Sequence, residues 1–278
     1  MSYEAWVGRV ETREDVVPAV LVERLAASLG LDAATAAPDG ALPPLWHWAL
    51  FQTWATPDAL GADGHPRRGG FLPPVHDLPR RMWAGGRVEF RAPVPIGETV
   101  RRVGTILRVE EKSGRSGRLV FVTVGYEIST GDGVALAEEH DIVYRGGEGT
   151  AVAAAEPAPA PPADAFTRTL TPDPVLLFRY SALTGNGHRI HYDLDYVTRV
   201  EAYPGLVVHG PLQATLLVDL LRRHRPQARL ARLAYRGQRA AFAGNALTLV
   251  GIPMAGVVRL EARDHVGAIC MSAEATLR

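Results

Sequence analysis

The chain has 278 residues, of which 47% are hydrophobic and 22% charged, so about two globular domains are expected and disorder is not. Its 30 basic and 30 acidic side chains cancel, which gives no bulk attraction to nucleic acid or to an anionic membrane. The single cysteine, Cys270, excludes an internal disulfide framework and a cysteine-built zinc site, and it fits a reducing cytoplasm.

The chain also shows no signal for export or for membrane insertion. Its N-terminus lacks a basic segment followed by an apolar one, so no signal peptide is expected. No stretch of apolar residues is long enough to predict a transmembrane helix. We therefore expect a cytoplasmic protein with neither nucleic acid nor membrane as a partner.

Two helices and a linker organise the chain. The first predicted helix covers Val16–Ala36 and is amphipathic, with a break at Gly30. A Pro- and Ala-rich segment, residues 146–164, reads as an interdomain linker because it buries little and favours extended backbone. The second helix covers Pro211–His224, with Pro at its start and cations at its end.

The two halves share a weak internal repeat. Arg87–Val100 and Leu233–Leu247 each contain an aromatic–arginine pair and a small-residue turn. Each is followed by an alternating strand that opens with glycine, at Gly117 and at Gly267. This order indicates a duplicated α+β unit, with an N-terminal domain over 1–145 and a C-terminal domain over 165–278, each sheet being wrapped around its helix.

The chemistry-bearing residues concentrate in the C-terminal half. Asn186 and His191 lie on either side of a predicted bend and can converge on one water molecule. Gly210 starts the second helix, where backbone N–H groups have no intrahelical partner and face the positive end of the dipole. An amide donor for a thioester oxygen and an imidazole for proton transfer are what hydration of an enoyl thioester requires.

The stretch from Phe178 to Leu221 resembles the hydratase 2 motif of the MaoC-like hot-dog superfamily. Within that superfamily it is most similar to 3-hydroxyacyl-thioester dehydratases of type 2 and to mesaconyl-CoA hydratases, and the resemblance extends over nearly the whole chain. The residues that match the motif are Tyr180, Leu183, Thr184, Gly185, Ile190, His191, Asp193, Val208, His209, Gly210 and Leu212.

The resemblance implies a double hot-dog fold and a hydro-lyase that acts on 2-enoyl-CoA or 3-hydroxyacyl-CoA thioesters without a cofactor or metal. It implies that His191 is the catalytic histidine and that the Gly210 amide faces the thioester oxygen. The N-terminal half lacks such a set of residues, so it is expected to be non-catalytic and to form the tunnel for the acyl tail. Asn186 departs from the superfamily, which carries a catalytic aspartate there. Either His191 acts alone while Asn186 holds the water, which we favour, or Asp193 or His188 supplies the second group.

Several further residues are expected to contact the acyl-CoA substrate. Trp46, His47 and Trp48 either line an acyl pocket or belong to the core, and Arg80 either meets the CoA phosphates or lies on a solvated loop. Substrate contacts are expected for His188, Tyr192, Asp193, His209, Gln213, Trp83 and Arg80.

Two alternative functions remain compatible with the sequence, and the oligomeric state is a separate prediction. A hot-dog thioesterase would also use a helix N-terminal amide, and a non-catalytic acyl-thioester binding protein would explain the replacement of aspartate by Asn186. A homodimer is a further expectation.

Overall fold

Ten antiparallel strands form one continuous sheet in the computed structural model, which describes residues 3–114, 117–146 and 156–278. Their order across the sheet is β1-β3-β4-β5-β2-β7-β10-β9-β8-β6. The strands are β1 (Val10–Val16), β2 (Arg80–Phe90), β3 (Thr99–Gly114), β4 (Gly117–Thr130), β5 (Gly133–Arg145), β6 (Phe166–Leu170), β7 (Leu230–Gly237), β8 (Leu247–Met254), β9 (Val257–Arg263) and β10 (Ile269–Leu277).

The sheet reads the same from either edge, because each half contributes five strands in the order first, third, fourth, fifth, second. The halves join through β2 and β7, which pair from Gly85 opposite Arg236 to Glu89 opposite Arg232. The duplicated α+β architecture is therefore confirmed. One equivalence drawn from the sequence is wrong. By its place in the sheet, the counterpart of β10 is β5 and not β4. The sequence did not separate the two because both β4 and β5 begin with glycine.

Within the three described ranges, five α-helices accompany the sheet: α1 (Ala19–Ser28), α2 (Ala33–Ala36), α3 (Pro174–Thr184), α4 (Leu194–Arg199) and α5 (Gly210–His224). The α5 helix is the core of the C-terminal half, with every residue from Leu212 to Leu221 buried. Its observed bounds differ from the predicted ones only by Gly210. Proline in the first turn favours the start, and Arg222, Arg223 and His224 complement the dipole at the end.

The N-terminal half holds its helix in a different place. The α1 helix follows β1 and packs against α3, so it corresponds to α3 rather than to α5. Where a counterpart of α5 would lie, between α2 and β2, the described residues form only short 3-10 turns at Trp46–Ala49 and Pro57–Ala59. The Pro- and Gly-rich sequence of this segment disfavours a long helix. The space it leaves is the place of the cavity described below.

The predicted linker is described only in part. Residues 147–155 lie outside the described residues. From residue 156 the chain runs along the C-terminal half, where the Ala158 N–H donates to Gly267 O at 2.9 Å and Arg263 Nη1 donates to Pro159 O at 2.7 Å. In the part of the chain that the structure covers, no helix is both long and apolar enough to cross a membrane.

Candidate active site

His191 lies in a short 3-10 turn, Arg189–His191, and its side chain is buried. Its Nδ1 is 2.7 Å from Val207 O, so this nitrogen carries the hydrogen and donates it to the carbonyl. The unprotonated Nε2 is then left as a base. Burial lowers the pKa of His191 to about 4, against a smaller opposing effect of the Val207 hydrogen bond. The imidazole is therefore neutral at physiological pH and able to accept a proton.

His209 fixes the position of His191. The two rings stack with centroids 3.6 Å apart and planes 17° from parallel. His209 itself precedes α5, and its Nε2 is 2.8 Å from Ser181 Oγ on α3. Burial holds the pKa of His209 well below its usual range, so the stack consists of two neutral rings. His209 is therefore an anchor between α3, α5 and the catalytic histidine.

Gly210 is the first residue of α5, as the sequence predicts. The ring of Trp83 covers its Cα so closely that a Cβ added there would lie 2.7 Å from Trp83 Cε3. Trp83 sits in β2 at an irregularity of the β2–β5 register, and its ring stacks on Tyr235 with centroids 4.6 Å apart. Glycine is thus required for the helix to begin against this aromatic pair.

Gly210→Ala is expected to lower kcat by ~10–10²-fold, because the methyl group must displace either Trp83 or the helix start that presents the amide. Initial rates of hydration, with melting temperature as the check on folding, measure the effect. An Ala variant with normal kcat would show that neither Trp83 nor the helix start has to move to accommodate the methyl group.

Asn186 follows the αL residue Gly185, which terminates α3 with a φ of 61°. Its Oδ1 accepts a hydrogen bond from the His188 N–H at 3.1 Å, so the side-chain NH₂ is the group left to face the cavity. His188 is close to His191, with ring centroids 5.6 Å apart. Burial, followed by the charges of His65 and His191, lowers the pKa of His188 to about 2, so His188 stays neutral.

A loop of the N-terminal half docks on this turn. The Arg189 N–H donates to Asp63 O at 2.9 Å, and Arg189 Nη1 donates to Ala62 O at 3.0 Å. Gly64 has a φ of +86°, and a Cβ there would lie 2.0 Å from Gly187 O, so the two backbones touch. The docked loop carries His65, whose ring centroid is 4.3 Å from that of His188. The site is therefore built from both halves of the chain.

Asp63 and His65 form a hydrogen-bonded pair. Asp63 Oδ2 is 3.2 Å from His65 Nδ1, and Asp63 Oδ1 accepts from the His65 N–H at 3.1 Å. Burial acts to raise the pKa of Asp63, but the hydrogen bonds from the ring and the backbone N–H of His65 outweigh it and hold that pKa well below its usual range. Donor atoms of Asp63, His65 and His188 lie within 4.8 Å of one another, and a direct hydrogen bond joins the first two.

Other residues predicted to contact substrate have structural partners. Asp193 caps α4 by accepting from the Tyr196 N–H at 2.9 Å, and its Oδ2 is 2.7 Å from Arg189 Nη2. Both oxygens of this carboxylate thereby have structural partners, which disfavours Asp193 as the second acid–base group. Tyr192 is half-exposed and donates its hydroxyl hydrogen to Gly187 O at 2.9 Å, which stabilises the turn that carries His191.

Arg80 and Gln213 are also predicted to contact substrate, and they lie in different surroundings. Arg80 pairs with Glu201, with Nε 3.6 Å from Glu201 Oε2, and this pair ties β2 to the loop after α4 rather than presenting a phosphate site. Gln213 is buried in α5 and its Nε2 donates to Val208 O at 3.4 Å. Its Oε1 is buried without a hydrogen-bond partner among the described residues, so Gln213 retains a free acceptor.

A cavity of about 350 Å³ lies between the halves. Asn186 and Pro211 border it from the C-terminal half. The N-terminal half contributes more of its wall, including His47, Trp48, His65, Trp83, Arg102, Tyr126, Glu138 and His140.

Glu138 is the polar centre of that wall. It is buried and accepts hydrogen bonds from His47 Nε2 at 3.0 Å, His140 Nε2 at 2.5 Å and Trp48 Nε1 at 2.7 Å. Burial acts to raise the pKa of Glu138, but the combined effect of His140 and His47 lowers it by more, so the carboxylate is ionised. His47 and Trp48 are thus both core and cavity residues, which joins the two sequence interpretations.

Sequence reasoning placed N-terminal residues such as Trp83 at the substrate but missed three polar residues of that half. His65, Arg102 and Glu138 lie far from the motif along the chain, and no local pattern places them beside Asn186. The one available signal was that Asp63 and His65 fall within the DGHP run, in a part of the first half that already resembles the same subgroup.

Comparison of the sequence with known proteins identifies the family of this chain. The family described as "hydroxyacyl-thioester dehydratase type 2" matches residues 45–243. A mesaconyl-C(4)-CoA hydratase from Chloroflexus aurantiacus is 47% identical over 279 residues, covering 99% of this chain and 98% of that protein. This chain belongs to the hydroxyacyl-thioester dehydratase type 2 family.

Solved structures related to the family confirm the fold. A MaoC-like dehydratase matches with a TM-score of 0.76 and 15% identity, covering 100% of this chain and 99% of the other. A MaoC-like dehydratase from Phytophthora capsici matches with a TM-score of 0.71 and 16% identity, covering 98% and 95%. The double hot-dog prediction is therefore confirmed.

Proposed function

We propose that this chain is a hydro-lyase that reversibly adds water to a 2-enoyl-CoA thioester to give the 3-hydroxyacyl-CoA. The observation that carries the proposal is the buried, neutral His191, with its Nδ1 tied to Val207 O, next to a helix that begins at Gly210. Family membership supports the same reaction, as does the 47% identity to a protein named as a hydratase.

Hydration proceeds here by addition of one water across the Cα–Cβ double bond. The water oxygen bonds to Cβ while His191 Nε2 takes a proton from that water. The electron pair of the double bond moves toward the thioester oxygen, where the Gly210 N–H stabilises the developing charge. His191 then returns the proton to Cα, and Asn186 orients the water with its NH₂ group. We propose that neither a metal nor a cofactor takes part.

The substrate class follows from the relative and from the cavity wall. We propose an enoyl chain with a free carboxylate, as in the mesaconyl-CoA type. Arg102 borders the cavity, and its Nη2 pairs with Glu11 Oε1 at 3.4 Å. Its buried Nε has no hydrogen-bond partner within the described part of the chain. Its guanidinium lies 4.8 Å from the ring centroid of Tyr126 and 4.9 Å from that of Phe51, which orients it. A guanidinium suits a carboxylate partner in such a site.

Turnover of crotonyl-CoA and mesaconyl-CoA by the full chain tests the reaction and the substrate class together. Arg102→Leu is expected to lower kcat/KM for mesaconyl-CoA by ~10–10²-fold and to leave crotonyl-CoA nearly unchanged, since a charge-assisted hydrogen bond is typically worth about 1.5–3 kcal/mol. An equal loss on both substrates would assign Arg102 to the fold instead. Loss of the thioester with release of free thiol, and no hydration, would instead support a thioesterase.

The cytoplasmic location and the homodimer stay predictions. Size-exclusion chromatography with light scattering decides the second.

A further inference from the structure

We propose that the Asp63–His65 pair, carried by the N-terminal half, is a second catalytic group, in which His65 accepts a hydrogen bond from the second hydrogen of the attacking water. The inference rests on the proposed function and identifies a residue that the family motif does not contain. It assigns to His65 the place that the missing carboxylate at position 186 leaves empty.

His65 is held at the reaction cavity by the docked loop. It borders the same cavity as Asn186, and its ring lies 4.3 Å from His188, which is itself 5.6 Å from His191. The backbone contact of Gly64 with Gly187 and the hydrogen bond from the Arg189 N–H to Asp63 O fix the approach. A loop of the first half is thus positioned on the turn that bears both Asn186 and His191.

The hydrogen bonds of His65 set its tautomer. Asp63 is ionised and can only accept, so His65 Nδ1 carries the hydrogen and Nε2 keeps its lone pair. His191 has the same arrangement, with Nδ1 bound to Val207 O. His65, which borders the cavity, and His191, one ring further along the His65–His188–His191 series, therefore each offer an unprotonated Nε2.

The charges around His65 favour this neutral form. Burial lowers its pKa, and the cations Arg81 and Arg68 act in the same direction, whereas Asp63 raises it. His188 lies against the ring and is neutral as well. His65 is thus an acceptor at neutral pH, held in one tautomer by Asp63.

A water between these groups makes three hydrogen bonds and keeps one lone pair free to attack Cβ. The Asn186 NH₂ donates to its oxygen, one hydrogen points to His191 Nε2 and the other to His65 Nε2. When the oxygen bonds to Cβ, the first hydrogen leaves as a proton to His191, which later delivers it to Cα. The second hydrogen stays on the oxygen as the product hydroxyl, bound to His65. No further reactant is needed.

Two variants of the full chain test the assignment. In Asp63→Asn the new Oδ1 keeps the bond from the His65 N–H, so the NH₂ faces Nδ1. This forces the hydrogen onto Nε2 and turns the acceptor into a donor. We expect kcat for crotonyl-CoA to fall by at least ~10²-fold in Asp63→Asn and in His65→Ala, with KM little changed. Free imidazole should restore part of the His65→Ala activity.

His224→Ala is the matched control, because this histidine stacks on Phe166 at the end of α5 and should leave activity unchanged. Melting temperatures separate catalytic from folding effects, and imidazole rescue of His65→Ala decides the matter where Asp63→Asn is unstable. Normal kcat in His65→Ala, or activity lost to a chelator and restored by Zn²⁺, would overturn the proposal. A wild-type chain without hydratase activity would instead overturn the proposed function.

Discussion

His191→Ala is expected to lower kcat by ~10²–10⁴-fold, the usual value of one general acid–base group. The side chain provides the only proton carrier in the proposed reaction, and the Val207 hydrogen bond fixes which nitrogen carries it. Initial rates with crotonyl-CoA at saturating concentration measure the loss. His188→Ala should be milder, because His188 contacts the catalytic ring without taking the proton.

The pH profile gives a second test of the same residue. Activity requires the neutral imidazole, and burial lowers the pKa of His191 to about 4. The acid limb of kcat/KM for the wild type should therefore lie well below pH 6.5, the ordinary value for histidine. The His224→Ala control should keep this profile. Near-normal turnover in His191→Ala would place proton transfer on another group.

The C-terminal half could be predicted closely because its signals are local. Proline and the terminal cations define α5, Gly185 ends α3, and the motif residues lie within one continuous stretch. The two-fold order of the strands was accessible through a weak repeat. The match of β4 with β10 failed because two successive strands in the first half both start with glycine, and short repeats do not separate them.

The N-terminal contribution was not accessible in the same way. Loss of the helix equivalent to α5 depends on what fills the sheet, and the Pro- and Gly-rich segment only shows that a long helix is disfavoured there. Docking of Gly64 on Gly187 is a contact between residues more than a hundred positions apart. The Arg80–Glu201 pair is likewise a contact between distant residues, whereas Asp193 caps α4 through its local neighbour Tyr196. A role of either residue at the substrate stays a prediction.

Asn186 is the residue at which this chain departs from its superfamily, and the pair Asp63–His65 explains how the departure is tolerated. Asn186→Ala is expected to lower kcat by ~10²-fold, because the water loses the donor that orients it. Asn186→Asp keeps the bond from the His188 N–H and turns the second side-chain atom into an anionic acceptor. We expect kcat of this variant to stay within about tenfold of the wild-type value, since the carboxylate can accept the hydrogen bond from water that His65 otherwise accepts.

The two acceptors should therefore substitute for one another. Asn186→Asp in the His65→Ala background is expected to recover at least ~10-fold of the activity that His65→Ala loses, whereas independent residues would show additive losses. The carboxylate also raises the pKa of His191 by stabilising its imidazolium, so the acid limb of kcat/KM moves to higher pH in Asn186→Asp. Rates of the two single variants and the double variant across pH provide both readouts. Additive losses together with an unmoved acid limb would mean that position 186, His65 and His191 do not meet at one water, and the shared site would have to be abandoned.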